Sequence, residues 1–128
     1  MKLTTPNEDY LERISELLDE KGYARVTDIA ERLNVKPASV TMMLKKLEAS
    51  GYVIREHYRG FSLTTKGITV GHKIKKRHTI LSEFLSLLGL SAHTIERDIE
   101  GLEHSVSNET LDALEQHVSE LKKSSKKK

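Results

Sequence analysis

The stretch "VTDIAERLNVKPASVTMMLKKLEASGYV", Val26 to Val53, decides how the rest of the chain is read. Thr27 is expected to cap a short helix carrying Ile29, Ala30 and Leu33. Asn34 and Val35 then make a brief turn. Pro37 opens a second helix holding Val40, Met43, Leu44 and Leu47, and Gly51 closes it. Two short helices on a tight turn predict a helix-turn-helix. A plain helical hairpin has the same periodicity. Small hydroxyl residues at the exposed start of the second helix argue for the former, because they let a helix approach base edges. On that reading Lys36, Ala38, Ser39 and Thr41 face base edges or adjacent phosphates, while Lys45 and Lys46 neutralise phosphates.

Working outward, "YVIREHYRGFSLTTKG" (Tyr52–Gly67) predicts a β-hairpin. Tyr52, Val53 and Ile54 lead into a turn at Tyr58-Arg59-Gly60, and Phe61 and Leu63 lead out. A hairpin directly after a helix-turn-helix is a wing, with Arg59 at its tip for a phosphate or the minor groove. Upstream, "TTPNEDYLERISELLDEKG" (Thr4–Gly22) predicts a helix capped at Thr5, with Pro6 in its first turn and Glu8 completing a capping box. Tyr10, Leu11, Ile14, Leu17 and Leu18 form its apolar stripe, Asp9, Glu12 and Glu16 lie opposite, and Gly22 is the stop. Helix, helix-turn-helix and wing in this order point to a DNA-binding winged helix.

Downstream the period is helical again. "TKGITVGHKIKKRHTILSEFLSLLGL" (Thr65–Leu90) is one long helix with Ile68, Ile74, Ile80, Leu81, Phe84, Leu85 and Leu88 as its apolar set. Gly67 and Gly71 mark a joint or close packing in its first turns. A helix capped by Ser91 follows, then one capped by Ser107 or Asn108 with Leu111, Leu114, Val118 and Leu121 as its stripe. Three helices make little core alone, so a second copy of the chain is the natural cover and a symmetric dimer the expectation. The fold class is therefore mainly α with a small β-hairpin wing. Residues 1–70 form a winged helix-turn-helix and 71–128 a helical domain that a dimer would complete. The helix from about residue 65 joins the two, and 122–128 is a solvated tail.

Composition limits the rest. The 128 residues are 37% hydrophobic and 31% charged, with no cysteine and a net charge of +2. There is no disulfide framework and no thiolate metal site. No run approaches the roughly 18 apolar residues needed to cross a bilayer. The start, "MKLTTPNEDY", has no apolar segment of the secretory kind, so the cytoplasm is the expected address. So slight a charge excess does not itself demand nucleic acid.

One short stretch remains. In "IEGLEH" (Ile99–His104), Glu100, Glu103 and His104 stand at i, i+3 and i+4, and on a helix they share one face. Asp9 and Glu12 are i, i+3 on the first helix, and His78 lies on the long one. Such a set is either an ordinary solvated face or part of a metal site. It echoes the Glu-x-x-His logic of di-metal helix bundles, but it is not the H-E-x-x-H of zinc proteases.

Together, "TTPNEDYLERI", "EKGYARVTDIAERLNVKPASVT", "YRGFSLTTKG", the "KKRH" ending at His78 and "DIEGLEH" resemble the diphtheria-toxin-repressor type of iron-dependent regulators, specifically their manganese transport-regulator branch. The resemblance spans roughly Thr4 to Val118. It implies a homodimeric repressor of metal-uptake genes that binds palindromic double-stranded operator DNA and is activated by Mn²⁺, with two ions per subunit. By the same resemblance Asp9, Glu12 and His78 hold one ion and His104 the other, with Glu100 and Glu103 shared. Iron-type relatives place sulfur ligands where this chain has Asp9 and Glu100, and oxygen there suits a hard ion. Fe²⁺, Co²⁺, Zn²⁺ or Cd²⁺ are substitutes the same groups accept. The short C-terminus fits the branch without an SH3-like extra domain. Met42 stands on the reading face where a polar side chain is expected, and it is counted among the DNA contacts. Two rival readings remain: a winged-helix regulator answering to a small organic ligand, and a di-metal enzyme. The chain offers little scaffold for a substrate pocket, so no small-molecule substrate, catalytic residue or membrane partner is expected.

Overall fold

The structure, a computed structural model, describes residues 3–58 and 60–126. Its elements run α1 (Thr5–Lys21), α2 (Val26–Leu33), α3 (Pro37–Ala49), β1 (Val53–Glu56), β2 (Gly60–Leu63), α4 (Thr65–Leu87), α5 (Ala92–Ser105) and α6 (Asn108–Lys126). They fall into two compact units, Met1–Lys73 and Ile74–Lys128, so the chain changes unit within α4. The expected fold class, a winged helix-turn-helix followed by helices, is what the chain adopts.

In the first unit, the α1 stripe Tyr10, Leu11, Ile14 and Leu17 is buried with Ile29 and Ala30 of α2 and Val40, Leu44 and Leu47 of α3. Tyr52, Val53, Phe61 and Leu63 close this core from the hairpin side. The α1 cap is Thr4, one residue earlier than the sequence suggested. Its hydroxyl accepts from the Asn7 N–H at 3.4 Å, and Pro6 still falls in the first turn. The α2 cap also moves, from Thr27 back to Arg25, whose N–H donates to the Asp28 carboxylate at 3.3 Å. At α1 the neighbouring threonine offered an equivalent cap, whereas at α2 the Arg25 side chain caps nothing and the Asp28 carboxylate closes the helix start instead. Asn34 takes the left-handed conformation (φ 55°) that turns α2 toward α3.

The wing is antiparallel, with Val53 opposite Leu63 and Glu56 opposite Gly60. It is bound to the loop between α1 and α2, where the Phe61 N–H donates to the Ala24 carbonyl at 2.8 Å. Gly60 makes that approach possible. Its φ is +81°, and a Cβ there would sit 2.3 Å from the Ala24 oxygen. Gly67 likewise admits close packing in the first turns of α4, where a Cβ would stand 2.1 Å from the Tyr52 oxygen.

The second unit has a smaller core of Ile80 and Leu81 from α4, Ile99 from α5 and Leu111 from α6, with Ile95, Val106 and Leu114 packed against it. Ser91 caps α5 through the Thr94 N–H, and Ser107, rather than Asn108, caps α6 through the Thr110 N–H. Positions expected in apolar stripes stay exposed in both units, Ile68 in the first and Leu88 and Leu121 in the second. Among the described residues no helix is long and apolar enough to cross a membrane.

Candidate metal centre and nucleic-acid interface

On α3 the buried Val40, Leu44 and Leu47 turn one face inward, so the opposite face is presented to solvent by the helical period. Lys36, Ala38, Ser39, Thr41, Met42, Lys45 and Lys46 are all exposed, Met42 by 64%. The first turn of α3 carries no acidic residue, which leaves its positive dipole end available to a phosphate. The Thr41 hydroxyl donates to the Pro37 carbonyl at 3.1 Å. At the wing, Tyr58 has a φ of 65° and is 84% exposed, and its ring stands against that of His57. Arg25 holds this turn: its guanidinium lies over the Tyr23 ring and donates to the Tyr58 carbonyl at 3.3 Å. Arg59 lies outside the described residues.

Within the second unit, α4 and α5 build a compact donor set around Glu103, whose side chain is only 2% exposed. One of its oxygens is 3.0 Å from His78 Nδ1 and the other is 3.5 Å from His104 Nε2. A buried carboxylate flanked by two imidazoles is costly without positive charge beside it. Arg77 steadies this turn, donating to the Glu103 carbonyl at 3.1 Å and to the Asn108 side chain at 2.9 Å. Glu100, one turn earlier on α5, is exposed. Oxygen and imidazole donors of this kind suit a divalent first-row ion, so the donor chemistry fits a metal.

In the first unit, Asp9 and Glu12 each offer a carboxylate oxygen, the two lying within 4.8 Å of one another on consecutive turns of α1. Of the two readings the sequence left open for Glu12, a solvated face or a metal site, its burial, at 7% exposure, disfavours the first. Arg13 stands beside it, 3.8 Å from Glu12 Oε1 and 2.6 Å from Glu16 Oε1. Sequence reasoning passed over both Arg13 and Arg77. The i, i+3 spacing of Arg13 and Glu16 was a visible signal. For Arg77 there was none, since its partners are distant in the chain.

A winged reading unit joined to helices that gather carboxylates and imidazoles defines a class, the metal-responsive DNA-binding regulators. Comparison with known proteins makes this specific. Residues 2–61 match the N-terminal DNA binding domain of the iron dependent repressor family, and residues 64–128 match its metal binding and dimerisation domain. The HTH-type transcriptional regulator MntR of Geobacillus kaustophilus (strain HTA426) is 49% identical over 113 residues, 88% of this chain and 80% of the relative. The regulator of the same name from Shouchella clausii (strain KSM-K16) is 48% identical, covering 88% and 79%. Among solved structures, ScaR with bound Zn²⁺ is 32% identical with a TM-score of 0.79, covering 88% of this chain and 53% of that one. The manganese regulator SloR is 30% identical with a TM-score of 0.79, covering 91% and 55%. The chain thus spans about half the length of these two solved chains. It belongs to the iron-dependent repressor family, in the manganese transport-regulator branch. It is a metal-dependent, DNA-binding transcriptional regulator and not an enzyme, which removes the di-metal enzyme reading.

Proposed function

We propose that this chain is a cytoplasmic, Mn²⁺-activated homodimeric repressor of metal-uptake genes that binds a palindromic operator. The observation that carries the reading is the buried Glu103 carboxylate between His78 and His104, in a chain whose other unit presents an exposed basic helix start. Asp9, Glu12 and His78 are the proposed ligands of one ion and His104 of a second, with Glu100 and Glu103 shared. Fe²⁺, Co²⁺, Zn²⁺ and Cd²⁺ are the proposed substitutes. SloR is a manganese regulator and ScaR binds Zn²⁺; those ions belong to those proteins, and they support a divalent ion here.

A divalent cation, when bound, supplies the positive charge that carboxylates held together otherwise lack. The residues do the rest. Asp9 and Glu12 belong to the first helix of the reading unit, and the other four ligands to α4 and α5. An ion that engaged ligands of both groups would restrict the freedom of the two reading helices in a dimer, which DNA requires about 34 Å apart for successive major grooves on one face. Restricting them beforehand lowers the entropy lost on docking. Lys36, Ala38, Ser39, Thr41 and Met42 then meet base edges or nearby phosphates. Lys45, Lys46 and Arg59 neutralise phosphates, so affinity falls steeply with salt.

The test begins by selecting duplexes from a random library with the Mn²⁺-treated protein, then measures affinity for the winner with and without Mn²⁺. A gain of about 5- to 150-fold is expected, in the range of ordinary allosteric coupling. Glu103→Gln should abolish that gain while leaving weak metal-free binding intact. Equal affinity in both conditions ends the metal-switch reading and favours the regulator that answers to an organic ligand or to nothing.

A further inference from the structure

We infer that Arg13 is a built-in counter-cation that sets the affinity of the α1 carboxylates for a divalent ion, and that Glu16 governs how strongly it acts. The inference rests on the metal-centre reading above and deepens it. Arg13 is neither a ligand nor on the DNA-reading face. Its guanidinium reaches two carboxylates of α1 at once, Glu12 at 3.8 Å and Glu16 at 2.6 Å. The Glu12 side chain is 9% exposed and that of Arg13 is 20% exposed, so solvent screens their interaction only in part.

The geometry is unequal in an informative way. The short contact goes to Glu16, which is not a proposed ligand, and the long one to Glu12, which is. Glu16 is itself held from the other side by Arg32 of α2, at 3.6 Å, and Arg32 is fixed by a two-pronged contact to Glu20 at 2.7 and 3.0 Å. The order along this face is therefore Glu12, Arg13, Glu16, Arg32, Glu20. Glu16 draws Arg13 back from the ligand carboxylate, and the Arg32–Glu20 pair keeps Glu16 where it can do so.

Two effects of Arg13 on a cation at Glu12 point the same way. A fixed positive charge repels an incoming divalent ion, and it competes for the carboxylate that the ion needs. Both weaken binding. A regulator whose ligands held their ion too tightly could not report a change in its concentration, so a weakening charge beside a ligand has a use.

The experiment is Mn²⁺ titration by calorimetry on the full chain, with the metal alone as probe. Arg13→Gln should tighten binding by about fivefold at low salt, and the gain should shrink as salt rises. Arg13→Lys, which keeps the charge, should stay near the wild-type value. Glu16→Gln should weaken binding by about threefold, because Arg13 is released toward Glu12. In the Arg13→Gln background that same change should have little effect, giving a measurable coupling between the two sites. Metal-free thermal unfolding of each variant separates a change in affinity from a change in stability. Unchanged or weaker binding in Arg13→Gln, or strict additivity of the two substitutions, overturns the inference while the metal centre stands. Absence of Mn²⁺ uptake by the wild-type chain overturns the metal-centre reading itself, and this inference with it.

Discussion

The two units of this chain solve the problem of burial differently. In the first, three helices and a hairpin enclose a core in which Leu11, Ile14, Ile29, Val40 and Leu47 have no exposed surface. In the second, three helices share a much smaller core, and large apolar side chains remain outside. Leu88 is 61% exposed, and Leu87, Leu90, Leu102 and Leu121 are exposed as well. The DNA-reading unit has the larger closed core, and Val35, Met42, Ile54, Tyr58 and Ile68 lie exposed outside it; the unit matching a metal binding and dimerisation domain sets a smaller core against its exposed leucines. A repressor of the proposed kind profits from this division. Its reading head has the core to hold a shape, and its second unit has apolar surface to offer a second copy.

The largest effect should come from the closed core. Leu11→Ala removes a fully buried side chain that packs among α1, α2, α3 and the hairpin. It should lower the stability of the first unit by about 2–5 kcal/mol, read by denaturant unfolding. A loss well under 1 kcal/mol would mean that this core is looser than its burial indicates, and the contrast between the units would weaken.

Next in size is the open surface of the second unit. Leu88→Glu touches a side chain that is already exposed, so the isolated fold should hardly notice it. In the proposed dimer it would place a charge in an apolar contact. Sedimentation equilibrium should then show dissociation at least tenfold easier than in the wild type, about 1.4 kcal/mol or more. The unfolding midpoint of the second unit should become more dependent on protein concentration. An unchanged dimer would move the interface away from the turn between α4 and α5.

The same contrast explains how much could be read from the sequence. The winged helix was legible because Gly22, Pro37 and Gly51 punctuate it, and because its stripes recur with the helical period. Cap positions slipped by one or two residues, at α1 because Thr4 competes with Thr5, and at α2 because the Asp28 carboxylate reaches back to the Arg25 N–H. The stripe of the long helix was overread at Ile68 and Leu88, because periodicity reports which residues share a face and not whether anything covers it. The candidate ligands were legible as donors at suitable spacing. The burial of Glu12 and Glu103 was not, since it depends on tertiary packing that no local pattern encodes. Arg13 and Arg77 stayed hidden for a related reason: their importance lies in which carboxylate or carbonyl they reach, and the sequence gives only the reach.

The smallest effect concerns the ionic edge of the first unit. The Arg32 guanidinium, hydrogen-bonded to Glu20, holds the Glu20 carboxyl below its usual value of 4.5, and Glu20 in turn raises Arg32. For a carboxylate whose folded value is lowered, the stabilisation is present above the unfolded value and is lost as pH falls through the folded one. The α1–α2 edge should therefore loosen only in acid, below about pH 4.5, and not across the neutral range. Because the pair is exposed, the change should be small and salt-sensitive. Acid titration of the unfolding midpoint, wild type against Glu20→Gln, measures it. The variant should lose slightly at neutral pH and show a shallower acid slope. If it shows the same slope, the pair does not contribute to the rigidity of the reading unit, and that rigidity rests on the apolar core alone.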